Sequence, residues 1–128
     1  MSMRITQIEG HKFKAEHKGV EIVSGKVDED SPYEGMSPGS LMVAALGMCT
    51  GMHIETYLKE RGIEYEGIEI TIKNNYDRDP PRATEFLLDI AVGADLDEKQ
   101  RRGLLEEANR CYVGNTMRNG PKISVDLK

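Results

Sequence analysis

The stretch that decides the architecture is Ser37-Pro-Gly-Ser-Leu-Met-Val-Ala-Ala-Leu-Gly-Met-Cys-Thr-Gly-Met-His-Ile-Glu-Thr-Tyr-Leu-Lys-Glu-Arg61. Ser37 suits an N-cap, Pro38 suits the first helical position, and Gly62 suits the position just past a helix end. Together they predict one helix over about 37–61, roughly 36 Å long at 1.5 Å per residue. From Leu41 to Met52 it is apolar or small on every side, which predicts a helix enclosed by protein. The apolar run Leu41–Ile54 is shorter than the ~20 residues of a membrane span and contains Gly, Thr and His. A core helix is therefore expected, with no membrane partner. Gly47 and Gly51, four apart, predict a groove where another backbone comes close. Cys49 sits near the middle.

Working outward, the N-terminal side reads as short strands. Met3–Ile8 alternates weakly, and His11–His17 and Val20–Ser24 flank a Lys18-Gly19 hairpin turn. Phe13 and Ala15 are expected on one side, and Val20 and Ile22 inward. Lys26 to Met36 is an acidic loop containing Gly and Pro. On the C-terminal side, Ile68, Ile70 and Ile72 alternate with Glu69, Thr71 and Lys73 in a strand over 63–74. A turn over 76–81 leads to its partner over 84–92, with Phe86, Leu88 and Ile90 on one face. Asp97 and Gln100 form a capping-box pair that opens a second helix over about 97–112. Leu104, Ala108 and Cys111 share one of its faces, and Ile123, Val125 and Leu127 alternate in a closing strand. The expected class is α+β, a single domain over 1–128 with an antiparallel sheet and two core helices. A helix apolar all round is hard to cover in one chain of this size, which predicts a homodimer.

Composition bounds the function. The 128 residues carry 17 basic and 22 acidic side chains, a net charge of -5, without a Lys/Arg cluster. That argues against nucleic acid as a partner. The N-terminus lacks the apolar stretch of a signal peptide, so a cytoplasmic location with reduced thiols is expected. Cys49 and Cys111 are then buried structural thiols, reactive thiols or metal ligands. Cys49 and His53 share a helix face at i, i+4, a spacing suited to a thiol–imidazole pair or two metal ligands. No CxxC, HxH or HExxH cluster accompanies them, and no metal is expected.

Two segments point further. Ser37-Pro-Gly-Ser-Leu-Met-Val-Ala-Ala-Leu-Gly-Met-Cys-Thr50 resembles the first hallmark of the OsmC/Ohr family, Pro-x-x-Leu-Leu-x-Ala-Ala-Leu-x-x-Cys. Leu105-Glu-Glu-Ala-Asn-Arg-Cys-Tyr-Val-Gly-Asn-Thr116 resembles the second, Ala-x-x-Cys-Pro-Val-x-x-Thr-Leu. The resemblance runs from Phe13 onward. It implies an OsmC-like fold in an intertwined homodimer with sites at the subunit interface. It implies that Cys49 is a peroxidatic thiol for organic hydroperoxides or hydrogen peroxide, and that Cys111 is the resolving thiol. It implies no cofactor beyond an external dithiol, lipoyl-type in the family's best-known branch.

The sequence also departs from the family. Gly39 and Ser40 stand where the family's activating Glu is found, and no Arg lies between Ile5 and Glu60. The family's Arg position falls near His11, Lys12 or Lys14. Tyr112 replaces the hallmark Pro, Gly114 replaces a common His, and Thr116 keeps the hallmark Thr. A cation must lower the thiol's ordinary pKa of ~8.5. His53, Lys12, Lys14 and Arg118 are the candidates. The alternative is an OsmC-like dimer whose groove binds a small apolar or thiol-bearing ligand without turnover.

Overall fold

The computed structural model describes residues 2–128. Its element order is β1 (Arg4–Glu9), β2 (Lys12–His17), β3 (Val20–Ser24), α1 (Pro38–Glu60), β4 (Ile68–Arg78), β5 (Pro81–Val92), α2 (Glu98–Ala108) and α3 (Tyr112–Arg118). The class is α+β with antiparallel strands, as expected. The strands form two separate sheets, β1-β2-β3 and β4-β5, where a single sheet was expected. The chain divides into two compact units, one reaching to Ala44 and one running Ala45–Lys128.

In the first unit, Lys18 and Gly19 both take positive φ, 51° and 77°, the geometry of a two-residue hairpin turn between β2 and β3. Ile5, Ala15 and Ile22 align across the three strands. Val20 and Ile22 are exposed, contrary to the inward orientation expected of them. Gly25 and Gly35 form an isolated bridge that pins the acidic loop. A Cβ on Gly25 would stand 2.2 Å from the His11 carbonyl oxygen, and a Cβ on Gly35 2.0 Å from that of Val23, so the loop closes only with glycine. The start of α1 is capped as expected, with the Ser40 N–H donating to Ser37 Oγ at 3.2 Å.

In the second unit, β4 and β5 run in register, with Ile68 opposite Val92, Ile70 opposite Ile90 and Ile72 opposite Leu88. Both strands are longer at the hairpin tip than the turn signals implied, because pairing continues to Arg78 and Pro81. The core joins Ile54, Tyr57 and Leu58 of α1 to Leu104 and Ala108 of α2, with Ile68, Ile70 and Ile90 against it. Burying each such aliphatic side chain contributes roughly 1.5–3 kcal/mol. Gly103 lets α2 approach closely, since a Cβ there would lie 2.5 Å from the Tyr57 hydroxyl. Gly47 and Gly51 face the Cδ1 atoms of Ile72 and Ile70. They admit side chains of β4, and not a backbone as the sequence suggested.

Three further expectations change. The second helix stops at Ala108, and Cys111 is the N-cap of a separate short helix, α3. Asn109 donates to the Glu107 and Leu105 carbonyls and ends α2, so the Leu104–Ala108–Cys111 stripe is buried but not one helix. Residues 119–128 form no strand, and Ile123, Val125 and Leu127 are almost fully exposed. Their alternation marks an edge that has no ladder partner among the described residues. Finally, α1 is long and apolar enough by composition to cross a membrane, but Ile54 and Leu58 are fully buried in the core. Its first half is not enclosed within the chain, since Met42, Met48 and Met52 are exposed.

Candidate functional site

Helix α1 carries Cys49 on a half-buried position, and the α2–α3 turn carries Cys111, which is 1% exposed. Both thiols are free. The fold brings them together: Cys49 is close enough to Cys111 to hold its thiol below the ordinary value. The turn at Asn109-Arg110 makes this possible by carrying Cys111 off the axis of α2 and making it the first residue of a new cap.

The surroundings of Cys111 are rich in donors. The Gly114 N–H donates to Cys111 Sγ at 3.3 Å, and the Thr50 hydroxyl and the Val113 N–H also favour the charged sulfur. Burial pushes the Cys111 thiol up. The Cys49 thiol, the Gly114 N–H, the Thr50 hydroxyl and the Val113 N–H together outweigh that, and the group sits below its ordinary value of 9.0. Thr50 is a buried polar side chain whose hydroxyl donates to the Leu46 carbonyl at 2.9 Å. Thr50 and Cys111 line the same cavity, so the hydroxyl that holds the carbonyl also stands on the side of the sulfur.

Beside this pair lies a cavity of about 420 Å³. Leu46, Phe86, Leu88 and Ile90 form apolar walls, and Cys111 and Arg118 line it as well. Arg118 donates from Nη1 to the Asn109 carbonyl at 3.3 Å and from Nη2 to Asn109 Oδ1 at 3.0 Å. These bonds hold the guanidinium against the turn that positions Cys111. A Cβ on residue 114 would meet Arg118 Nη1 at 3.2 Å, so Gly114 leaves the guanidinium its place.

His53 is tied to the other helix. Its Nδ1 lies 3.1 Å from Glu107 Oε1, and Arg110 Nη1 lies 3.5 Å from Glu107 Oε2. A bond from Nδ1–H to the carboxylate leaves Nε2 as the acceptor nitrogen. Among the described residues no group of three or more His, Cys, Asp and Glu is arranged to hold a metal ion.

The remaining candidates are engaged elsewhere. Lys12 pairs with Glu34 at 3.0 Å, and Lys14 with Glu16 at 2.6 Å and Glu21 at 3.7 Å, all within the first unit. The Glu16 carboxylate raises the exposed Lys14 ammonium above its ordinary value. Ser40 accepts a bond from Ser37 at the helix start, and Gly39 has open space where a side chain would stand. Thr116 donates to the Tyr112 carbonyl inside α3 and is exposed. Sequence reasoning missed Thr50, Asn109 and Glu107 as partners. Thr50 adjoins Cys49 and was legible only as a small neighbour, and nothing in the spacing of Glu107 marks it as the partner of His53.

Comparison with known proteins agrees with the fold. A family model described as OsmC-like protein matches residues 28–126. An uncharacterized protein of Mycobacterium tuberculosis is 30% identical over 121 residues, covering 86% of this chain and 82% of that protein. The structure of an OsmC-like protein from Mycoplasma pneumoniae superposes with a TM-score of 0.79 at 13% identity, over 93% of this chain and 87% of that one. The organic hydroperoxide resistance protein OhrB of Bacillus subtilis superposes with a TM-score of 0.55 at 21% identity, over 100% and 98% of the two chains.

Proposed function

The chain belongs to the OsmC-like family, and from that premise we propose that it is a cysteine-based hydroperoxide reductase acting as a cytoplasmic homodimer. The observation that carries this reading is the meeting of two free thiols, Cys49 and Cys111, from separate helical segments. In the proposed cycle the Cys49 thiolate attacks one peroxide oxygen, the O–O bond breaks, and the alcohol or water leaves after taking a proton. Cys49 becomes a sulfenic acid. Cys111 sulfur then attacks Cys49 sulfur, water leaves, and a Cys49–Cys111 disulfide forms. An external dithiol, lipoyl-type in the branch the sequence resembles, returns two electrons and restores both thiols. No metal or organic cofactor enters this chemistry.

His53 supplies the base in this reading. It stands one turn after Cys49, and the Glu107 carboxylate that accepts from Nδ1 leaves Nε2 free to take the thiol proton. This substitutes for the Arg and Glu missing from the N-terminal half. The dimer reading is supported by the exposed stripe of Ala45, Met48 and Met52 on α1 and by the unpaired Ile123, Val125 and Leu127. A second copy of the chain is the proposed occupant of both.

The test is direct. Hydroperoxide added to the reduced protein should convert two free thiols per chain into an intramolecular disulfide. A wild-type protein that consumes peroxide no faster than Cys49→Ser removes the proposal.

A second reading is favoured by the apolar cavity of about 420 Å³, which is of ligand size. In it the protein binds a small apolar or thiol-bearing molecule without turnover. The pH dependence of Cys49 alkylation separates the two. A midpoint well below ~7 supports the reductase, and one above ~9 supports the binder.

A further inference from the structure

We propose that the Cys49–Cys111 disulfide is reduced in one direction only: the external dithiol attacks Cys49 Sγ, and Cys111 departs as the thiolate, received by the Thr50 hydroxyl and the Gly114 N–H. The inference rests on the two-thiol reading above and gives Thr50 a function in it. Three observations carry it. The first is access. Cys49 is half-buried, whereas Cys111 is 1% exposed, so an incoming thiolate meets Cys49 first. The second is the leaving group. In thiol–disulfide exchange the sulfur better able to hold negative charge leaves faster. The Gly114 N–H already donates to Cys111 Sγ at 3.3 Å, and the buried Thr50 lines the same cavity as Cys111 and Gly114 and helps hold that thiol down. The third is the single hydrogen of Thr50. At rest it is donated to the Leu46 carbonyl at 2.9 Å. As charge gathers on Cys111, rotation about one bond re-aims it at the sulfur, and the carbonyl keeps its helical hydrogen bond.

The electrons balance in two exchanges. In the first, one thiolate of the dithiol forms a bond to Cys49 Sγ, the Cys49–Cys111 bond breaks, and its electron pair leaves on Cys111. In the second, the dithiol's remaining thiolate attacks its own sulfur in the mixed disulfide, and Cys49 leaves as thiolate and takes a proton. The dithiol is oxidised to a cyclic disulfide and the protein regains two thiols.

The test forms the disulfide with diamide on the full chain, so it does not depend on peroxide turnover. Glutathione is then added, the reaction is stopped in acid within the first turnover, and the modified cysteine is mapped by mass spectrometry. Glutathione is expected on Cys49 with Cys111 free. Thr50→Val should slow reduction of the disulfide by a dithiol roughly tenfold, with the loss growing as pH falls, and Thr50→Ser should restore most of the rate. Glutathione on Cys111, a Thr50→Val rate equal to wild type, or a Thr50→Ser variant as slow as Thr50→Val each overturns the inference. A protein whose disulfide forms with diamide and reduces as described, but which consumes no peroxide, loses the hydroperoxide reading and keeps this one. A protein in which diamide forms no Cys49–Cys111 bond loses both.

Discussion

The two halves of α1 make an instructive pair. The sequence places both in one helix, apolar or small on every side from Leu41 to Met52 and apolar on one face beyond it. In the half from Ile54 to Leu58, Ile54 and Leu58 are fully buried and Tyr57 nearly so, packed against α2 and the β4–β5 sheet. In the half from Ala45 to Met52, Leu46 and Thr50 are buried while Met48 and Met52 are 64% and 68% exposed. The difference teaches that apolar sequence reports a demand for cover but not its source. Where the chain covers the helix itself, the side chains serve stability. Where it does not, the helix carries a thiol and an unfilled apolar stripe.

The comparison breaks most sharply on activity. Cys49→Ser should abolish dithiol-dependent peroxide consumption, a loss of several orders of magnitude, while leaving the unfolding midpoint in denaturant near wild type. If both properties fall together, the first half of the helix is structural like the second. The converse variant is Leu58→Ala, which leaves a cavity in a fully buried site and should cost about 2–5 kcal/mol of stability, measured by urea unfolding. Ile54→Ala should behave alike. Replacing Met48 and Met52 by Lys should change monomer stability by less than about 1 kcal/mol, as surface substitutions do. The same pair should shift sedimentation from dimer to monomer, and a wild type that sediments as a clean monomer at micromolar concentration removes the proposed occupant.

The smallest effect is a pH dependence. The Cys111 thiol sits below its ordinary value of 9.0 in the folded chain. A group depressed on folding contributes stability that is fully present above its unfolded value and is lost as pH falls through its folded value. Wild type should therefore gain stability over Cys111→Ser as pH rises toward that value, read as a widening gap in thermal unfolding midpoint. A gap that narrows instead would mean that burial of Cys111 outweighs its donors.

Much of this was legible in the sequence because it is local. Ser37, Pro38 and Gly62 delimit α1 through backbone hydrogen bonding and φ preference. The Asp97–Gln100 capping box opens α2, with the Asp97 carboxylate accepting from the Gln100 N–H at 2.8 Å and Gln100 Oε1 accepting from the Asp97 N–H at 2.9 Å. Alternation in β4 and β5 placed the inward isoleucines correctly. Where a local pattern needed a distant partner, it misled. The alternation of Ile123, Val125 and Leu127 is sound, but a strand exists only when another strand accepts its hydrogen bonds. The Leu104–Ala108–Cys111 spacing ran straight through the break at Asn109, whose bonds to the Leu105 and Glu107 carbonyls carry no signature in apolar periodicity.

By itself, then, the sequence determined the beginnings of α1 and α2, the hairpins, the burial of Cys111 and, through two motifs, the family. These depend on neighbours within a few residues, whose chemistry the chain order specifies directly. Tertiary structure alone decided that Cys49 meets Cys111, that Thr50 lines one cavity with the sulfur to which the Gly114 N–H donates, and that His53 is held by Glu107. The Cys49, Thr50 and His53 contacts join α1 to residues more than 50 positions away, and the packing of Gly103 on Tyr57 and of Ile70 and Ile72 on Gly51 and Gly47 sets their geometry.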